Sequence, residues 1–303
     1  MSATAPEPDA PAGDALRQAH RERALTEEVV AGFAETKDPR VREVMSSLVR
    51  HLHAFIRDVR LTNAEWDAAI AFLTRSGHIT DQHRQEFILL SDVLGASMMT
   101  VAVNSPARSE ATESTVFGPF FVADAPLVDS GEDISRGMSG RPCHVRGSVR
   151  STGGAPLPGA RVEVWAADDD GFYDVQREGG TLAGRAHLFT DGQGGFDFWT
   201  VQPAAYPIPH DGPVGDLLSA AGRSPMRPAH IHFMVSSPGH QTLITHIFVE
   251  GDEWLTRDAV FGVKPSLVVP FVQHPPGAGP RGRVLDEPWS STTFDITLAP
   301  AHE

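Results

Sequence analysis

The spacing of apolar residues changes character near residue 105, and no other feature narrows the available folds as much. Before that point the period is helical. Val41, Val44, Leu48, Leu52, Phe55 and Val59 follow one another at intervals of 3, 4, 4, 3 and 4, which draws a single stripe along a helix. Asp38-Pro39 stands in front of it as an N-cap and first-turn proline. Thr62 and Glu65 have the spacing of a capping box, Leu61 and Trp66 that of a hydrophobic staple, and Gly77 is expected to close that helix. A further helix is expected from Thr80, with Phe87, Leu90, Leu94 and Met98 on one side. After residue 105, glycine and proline become frequent and the apolar residues fall into short alternating runs: HVRGSV (144–149), RVEVWA (161–166), GFDFWT (195–200), HIHFMV (230–235) and THIFVE (245–250). Strands separated by turns rather than by helices predict a β-sandwich, not βαβ units. The expected fold is therefore mixed α and β. A disordered tail rich in proline, alanine and acid occupies residues 1–14, an α-helical region spans 15–105, and a β-sandwich fills 106–303.

Several classes of function are made improbable by composition. The net charge of −14 repels phosphate backbones and anionic lipid, so no nucleic-acid partner is expected. A single cysteine, Cys143, rules out an internal disulfide framework or a multi-cysteine metal site, and its place at the start of a strand reads as a small buried hydrophobe. The N-terminus lacks a basic start and an apolar core, and no apolar run approaches the ~18 residues of a membrane span. The reading is a cytoplasmic protein without a membrane span.

Histidine and tyrosine carry the chemistry. His230 and His232 lie in a strand, where residues two apart project from one face and can meet a common ion. His51 and His53 have the same spacing in a helix, where residues two apart diverge by roughly 200°. A strand H-x-H motif alone leaves two readings open, metal ligands or ordinary polar histidines. The chain has 16 Phe and 5 Trp but only 2 Tyr, Tyr173 in WAADDDGFYDVQ and Tyr206 in AYPIPHDGP, both in turn-forming sequence beside strands. Two neutral imidazoles and two phenolates would make a hard, anionic donor set suited to a trivalent ion. Zinc sites favour cysteine, histidine and carboxylate instead, and ferrous facial triads need a carboxylate. Elsewhere, His187, His210 and His240 read as turn residues, while Trp254 and Phe261 read as core or pocket wall.

Together, WAADDDGFYDVQ, YPIPHDGP and RPAHIHF, with STVFGPFFVADAP upstream, resemble the intradiol ring-cleavage dioxygenases over about residues 85–295. The resemblance implies one non-haem Fe(III) ion per subunit, held by Tyr173, Tyr206, His230 and His232. It makes the sandwich the catalytic domain, with a small aromatic diol or triol and O2 as substrates. The diol would chelate the iron and displace Tyr206, with cleavage falling between the two hydroxylated carbons. Arg227 would stabilise the charge that builds on the ring. FILLSDVLGAS and DDDGFYDVQ are closest to the branch that opens hydroxyquinol (benzene-1,2,4-triol) to 3-hydroxy-cis,cis-muconate, with catechol or chlorocatechol as the alternative substrate. In that branch Leu89, Asp92, Val116, Phe117, Gly118, Pro119, Phe120, Ile208, Pro209, Arg227 and Val260 would line the substrate pocket. His246 stands near the iron where catechol enzymes commonly have glutamine. The N-terminal helices would join two subunits as a homodimer and enclose a phospholipid at the interface. Two readings of other classes stand beside this one. They are a non-catalytic β-sandwich binding module and a zinc hydrolase using His230, His232 and a carboxylate such as Asp211.

Overall fold

The computed structural model describes residues 10–81, 84–105, 110–176 and 182–301. Contacts group the chain into two compact units, Met1–Thr74 and Arg75–Glu303. The first unit is helical. α1 (Ala10–Ala31) begins inside the stretch read as a tail, where Pro11 suits a first helical turn, and residues 1–9 lie outside the described residues. α2 (Pro39–Val59) is capped by Asp38, whose carboxylate accepts the N–H groups of Arg40 at 2.8 Å and Val41 at 3.3 Å. α3 (Asn63–Ile79) opens with the capping box: Thr62 N–H donates to Glu65 Oε2 at 2.8 Å, and Glu65 N–H donates to Thr62 Oγ1 at 3.3 Å. Gly77 does not close this helix, which runs on to Ile79. An isolated glycine costs a helix about 1 kcal/mol without stopping it.

α1 and α2 meet at Thr26. Its hydroxyl donates to Glu22 O at 3.1 Å and accepts from Arg57 Nη1 at 2.8 Å, which leaves the His53 Nδ1–H as the donor of the remaining 3.1 Å bond. Much of the α2 stripe remains uncovered. Val41, Val44, Leu48, Leu52, Phe55 and Val59 are 46–53% exposed, and Trp66, Ile70 and Leu73 on α3 are 44–54% exposed.

In the second unit, the helix expected from Thr80 is two short ones, α4 (Glu86–Val93) and α5 (Ala96–Asn104), bent by 74°. Gly95, at φ +72°, makes the bend, so Met98 does not share a face with Phe87, Leu90 and Leu94. No single described helix is long and apolar enough to cross a membrane. Buried Glu86 accepts the Val214 N–H at 2.9 Å and Arg84 Nε at 2.9 Å, tying α4 to α6 (Pro213–Ala220).

The strands in chain order are β1 (Pro142–Ser151), β2 (Arg161–Ala166), β3 (Arg185–Phe189), β4 (Gly195–Val201), β5 (Tyr206–Pro207), β6 (Met226–Arg227), β7 (His230–Ser236), β8 (Leu243–Val249), β9 (Val268–Val269), β10 (Val272–His274), β11 (Gly277–Ala278), β12 (Val284–Leu285), β13 (Trp289–Thr293) and β14 (Ile296–Leu298). All five strands read from alternation are present, and His187 belongs to β3 rather than to a turn. One sheet runs β3-β2-β7-β8-β9; the other runs β10-β13-β1-β14, with β4 also paired to β1. Val145, Val149, Phe196 and Phe198 of the second sheet and Val162, Val164, Ile231, Phe233 and Val235 of the first form one buried cluster, with Phe198 and Phe233 ring centroids 6.4 Å apart. That is a sandwich core, and alternation along β7 follows from it. Ile231, Phe233 and Val235 point inward, so His230 and His232 must point to the opposite face. Cys143 is fully buried and its thiol is pushed up to about 12 by desolvation.

Candidate metal centre

Four elements deliver the two imidazoles, the two phenols and the nearest cation to one buried place. β7 presents His230 and His232, each 1% exposed. β5 and β6 form a two-residue ladder that sets Tyr206 directly opposite Arg227. Tyr173 arrives from the loop after β2, where Asp168 Oδ1 accepts the N–H groups of Asp170 at 3.2 Å and Phe172 at 2.9 Å. Gly171 permits this approach, since it lies at φ +83° and a Cβ there would fall 2.4 Å from Tyr206 Cβ.

The polar atoms converge closely. Tyr173 Oη lies 3.0 Å from Tyr206 Oη, 2.9 Å from His232 Nε2 and 3.5 Å from His230 Nε2. His230 Nε2 lies 3.3 Å from Tyr206 Oη and 3.2 Å from His232 Nε2. A four-coordinate ion with bonds of about 2.0–2.2 Å has ligand edges of about 3.3–3.6 Å, so this cluster needs only a small expansion to enclose one. His246, directly opposite His232 on β8, brings a third imidazole, and the potential ligand atoms of the three histidines lie within 4.8 Å of one another.

The tautomer of His230 is set for ligation. Pro228 O accepts from its Nδ1 at 2.7 Å, which leaves a lone pair on Nε2, where Arg227 Nη1 now donates at 3.1 Å. His232 is clamped between rings and backbone. Trp165 stacks on it at 4.7 Å and 15°, and at Gly118 (φ +77°) a Cβ would stand 2.8 Å from its Cε1. Phe120 stacks on Tyr173 at 4.6 Å and 25°.

Electrostatics favour neutral donors until a cation arrives. Desolvation, helped by the Arg227 charge, holds His230 and His246 well below the usual imidazole range; His232 is held there by desolvation and its two neighbouring imidazoles. Burial pushes both phenols up, Tyr173 the more strongly because Tyr206 lies against it, while Arg227 opposes the rise at Tyr206. Phenolates at neutral pH therefore require a strong Lewis acid beside them. Burial acts most strongly on Arg227 and lowers it, but the Asp258 carboxylate, 3.2 Å from its Nε, and the Tyr206 and Tyr173 phenols together outweigh that and hold the guanidinium above its ordinary range. Asp258 is itself held by the N–H groups of Val260 at 3.3 Å and Gly262 at 2.8 Å. Arg227 Nη2, His232 Nδ1, His246 Nε2 and Trp165 Nε1 are buried without a protein partner, four polar atoms with capacity for a ligand.

The residues expected to line the pocket are placed variously. Leu89, Asp92, Val116, Ile208 and Val260 are buried, Pro209 and Phe120 are half-buried, and Phe117 and Pro119 are exposed. Asp92 is not a solvated helix position. Desolvation raises its carboxyl, with Ser97 bonding it and Arg227 close enough to oppose the rise. His246 is fully buried and bonded through Nδ1 to the Thr115 hydroxyl. Phe261 is not core: it is 51% exposed, with the Arg223 guanidinium 4.7 Å above its ring, and Trp254 is half-buried. Asp211 is unavailable to His230 and His232. It is exposed and paired with Arg84 at 2.7 Å, and no carboxylate among the described residues joins the histidine group. Asp258, Thr115 and Trp165 were not singled out from sequence. Each acts through a neighbour brought close by folding, and a strand tryptophan or a loop aspartate carries no local mark of that.

The chain's relatives agree with the geometry. Residues 116–300 match the family described as Dioxygenase, and residues 38–112 match the family described as Catechol dioxygenase N terminus. Hydroxyquinol 1,2-dioxygenase from Nocardioides simplex is 60% identical over 285 residues, 94% of this chain and 97% of that protein. Among solved structures, hydroxyquinol 1,2-dioxygenase from Pseudomonas putida DLL-E4 superposes with a TM-score of 0.87 at 41% identity, covering 93% of this chain and 99% of that one. Catechol 1,2-dioxygenase from Pseudomonas arvilla C-1 superposes with a TM-score of 0.79 at 28% identity, covering 92% of each chain. The chain belongs to the intradiol ring-cleavage dioxygenases.

Proposed function

We propose that the protein opens the ring of hydroxyquinol with O2, using Fe(III) held by Tyr173, Tyr206, His230 and His232. The observation that carries the reading is the convergence of the chain's two tyrosines and the β7 histidines, with polar atoms 2.9–3.5 Å apart in a buried site. Ferric iron held there would supply the Lewis acidity that stabilises phenolates and eases deprotonation of an adjacent diol. The C1–C2 bond of benzene-1,2,4-triol breaks and each of those carbons gains one oxygen atom of O2, giving 3-hydroxy-cis,cis-muconate and two protons.

The protein's own groups have separable tasks. Tyr206, paired across the ladder with Arg227, has a cation ready to hold its hydroxyl when it leaves the cluster, and it can take a proton from the incoming diol. Arg227 keeps a fixed positive charge beside the reacting ring, with Nη2 free to bond an oxygen that gains charge. Trp165, Phe120 and the Gly118 backbone exclude water and hold His232 and Tyr173 in place.

The choice of hydroxyquinol is supported by the identity to the Nocardioides simplex enzyme and by Asp92. A buried carboxyl in either protonation state can pair with a hydroxyl, which both donates and accepts, so the third hydroxyl of the triol is a suitable partner. The half-exposed apolar stripe of α2 supports a homodimer joined through the N-terminal helices, with a phospholipid as the apolar filler. Extraction of lipid from purified protein, followed by mass spectrometry, tests the latter. The substrate assignment is tested by oxygen uptake and product absorbance with hydroxyquinol and catechol under the same conditions. Faster turnover of hydroxyquinol supports it, and an equal or faster rate on catechol replaces it with the catechol reading.

A further inference from the structure

Arg185 opens β3, is 1% exposed, and takes no part in the chemistry described so far. Its guanidinium is engaged in three directions. Nε donates to Asp174 Oδ2 at 2.7 Å, Nη2 bonds Oδ1 of the same carboxylate, and Nη1 donates to Phe120 O at 2.9 Å. Asp174 immediately follows Tyr173, and it also accepts the N–H groups of Val175 at 2.8 Å and Ala183 at 3.1 Å. The Tyr173 N–H is held by Gln176 Oε1 at 2.9 Å, so the turn carrying the phenol is tied at both sides. Phe120 belongs to the segment whose Gly118 faces His232, and its own ring stacks on Tyr173.

We propose that Arg185 and Asp174 form a positioning pair that locks the Tyr173 phenol and the Gly118–Phe120 wall into one register. Metal-site geometry and the substrate wall are then set together by one buried ion pair. The proposal rests on the ferric reading above. The physical reason is the rigid planar fork of arginine. Bidentate contact with Asp174 fixes the plane of the guanidinium, and with the plane fixed the remaining nitrogen can reach only one place for the Phe120 carbonyl. Lysine could keep the charge but not the planar fork that grips Asp174 with two nitrogens while a third reaches Phe120 O. A buried pair of this kind is weak evidence for stability and is better explained by the geometry it enforces. Misplacement of a reacting group by about 1 Å can cost about 100-fold in rate.

The test uses full-length Arg185→Lys and Asp174→Asn, with Arg161→Gln as a control that breaks the Arg161–Glu163 pair of the same sheet. Circular dichroism selects folded protein, and the readouts are ferric affinity by chelator competition, the visible band, and KM and kcat on hydroxyquinol. The expected result is weaker iron retention, a displaced visible band and a KM raised about tenfold in both site variants, with the control like wild type. Should Arg185→Lys fail to fold, Asp174→Asn decides alone. A folded site variant with wild-type iron affinity, band position and KM overturns the proposal. A colourless, iron-free but active wild-type protein overturns the ferric reading instead, so the two failures are distinguishable.

Discussion

The chain contains the triplet His-x-His twice, on α2 and on β7, and among the described residues only the β7 pair belongs to a histidine group that could hold a metal ion. On α2, His51 is exposed and His53 bonds the Thr26 hydroxyl, while Leu52 between them is 51% exposed. On β7, His230 and His232 are each 1% exposed, their Nε2 atoms are 3.2 Å apart, and Ile231 between them is buried in the sandwich core. The residue types match. What differs is the period of the backbone: about 100° per residue on a helix separates neighbours two apart, whereas a pleated strand returns them to one face. The strand also brings its own second layer, since β8 places His246 opposite His232 and the β5–β6 ladder sets Tyr206 against Arg227.

Substitutions across the two triplets should break this symmetry most sharply. His230→Ala or His232→Ala is expected to abolish iron retention and lower turnover beyond the ~100-fold typical of outer-shell losses. His51→Ala should leave both within about twofold, as read by metal analysis and oxygen uptake. Next in size, Arg227→Gln should cost about 100-fold or more in kcat, the order found for removing one preorganised charge-stabilising donor, with little change in iron content. Asp92→Ala is expected to lower the hydroxyquinol-to-catechol ratio of kcat/KM about 10–100-fold, in line with the ~1–3 kcal/mol of a buried polar partner; an unchanged ratio would remove Asp92 from substrate selection.

A smaller effect is expected in the acid limb of stability. His230, His232 and His246 titrate below their ordinary value of 6.5 in the folded chain, so below about that pH the unfolded chain binds protons that the folded one refuses. The stability they support in metal-free protein is complete above 6.5 and falls as pH drops through it, by up to about 1.4 kcal/mol per pH unit for each proton. Urea titrations of metal-free protein between pH 8 and 5 should show a shallower slope in His246→Gln. The smallest effect on turnover is expected from Leu52→Glu on α2, which should shift the mass in solution from dimer towards monomer while leaving kcat near wild type.

The sequence was most legible where the chemistry is local. The Asp38 cap, the Thr62–Glu65 capping box and the five alternating strands each depend on residues a few positions apart, and all are present. Legibility failed where a distant neighbour decides. Gly77 reads as a helix stop, yet it keeps helical geometry with the Phe87 ring 3.9 Å from its Cβ position, whereas Gly95, read as helix interior, makes the bend. Phe261 reads as core or pocket wall, and the core half fails: it adopts φ +59° and is 51% exposed under Arg223, where it lines a surface pocket. At the site, the ladder that pairs Tyr206 with Arg227 and the bond from Arg185 to the Phe120 carbonyl, 65 residues away in the chain, join separate segments, and periodicity carries no information about such pairings.

The most direct measurement is the visible spectrum of purified protein together with its iron content, taken on wild type and on Tyr173→Phe. One iron per chain and a charge-transfer band in wild type, with the band displaced or lost in Tyr173→Phe, are expected if the two phenols and two imidazoles hold ferric iron. An active protein without iron, or a Tyr173→Phe protein with full activity and an unchanged band, would contradict it.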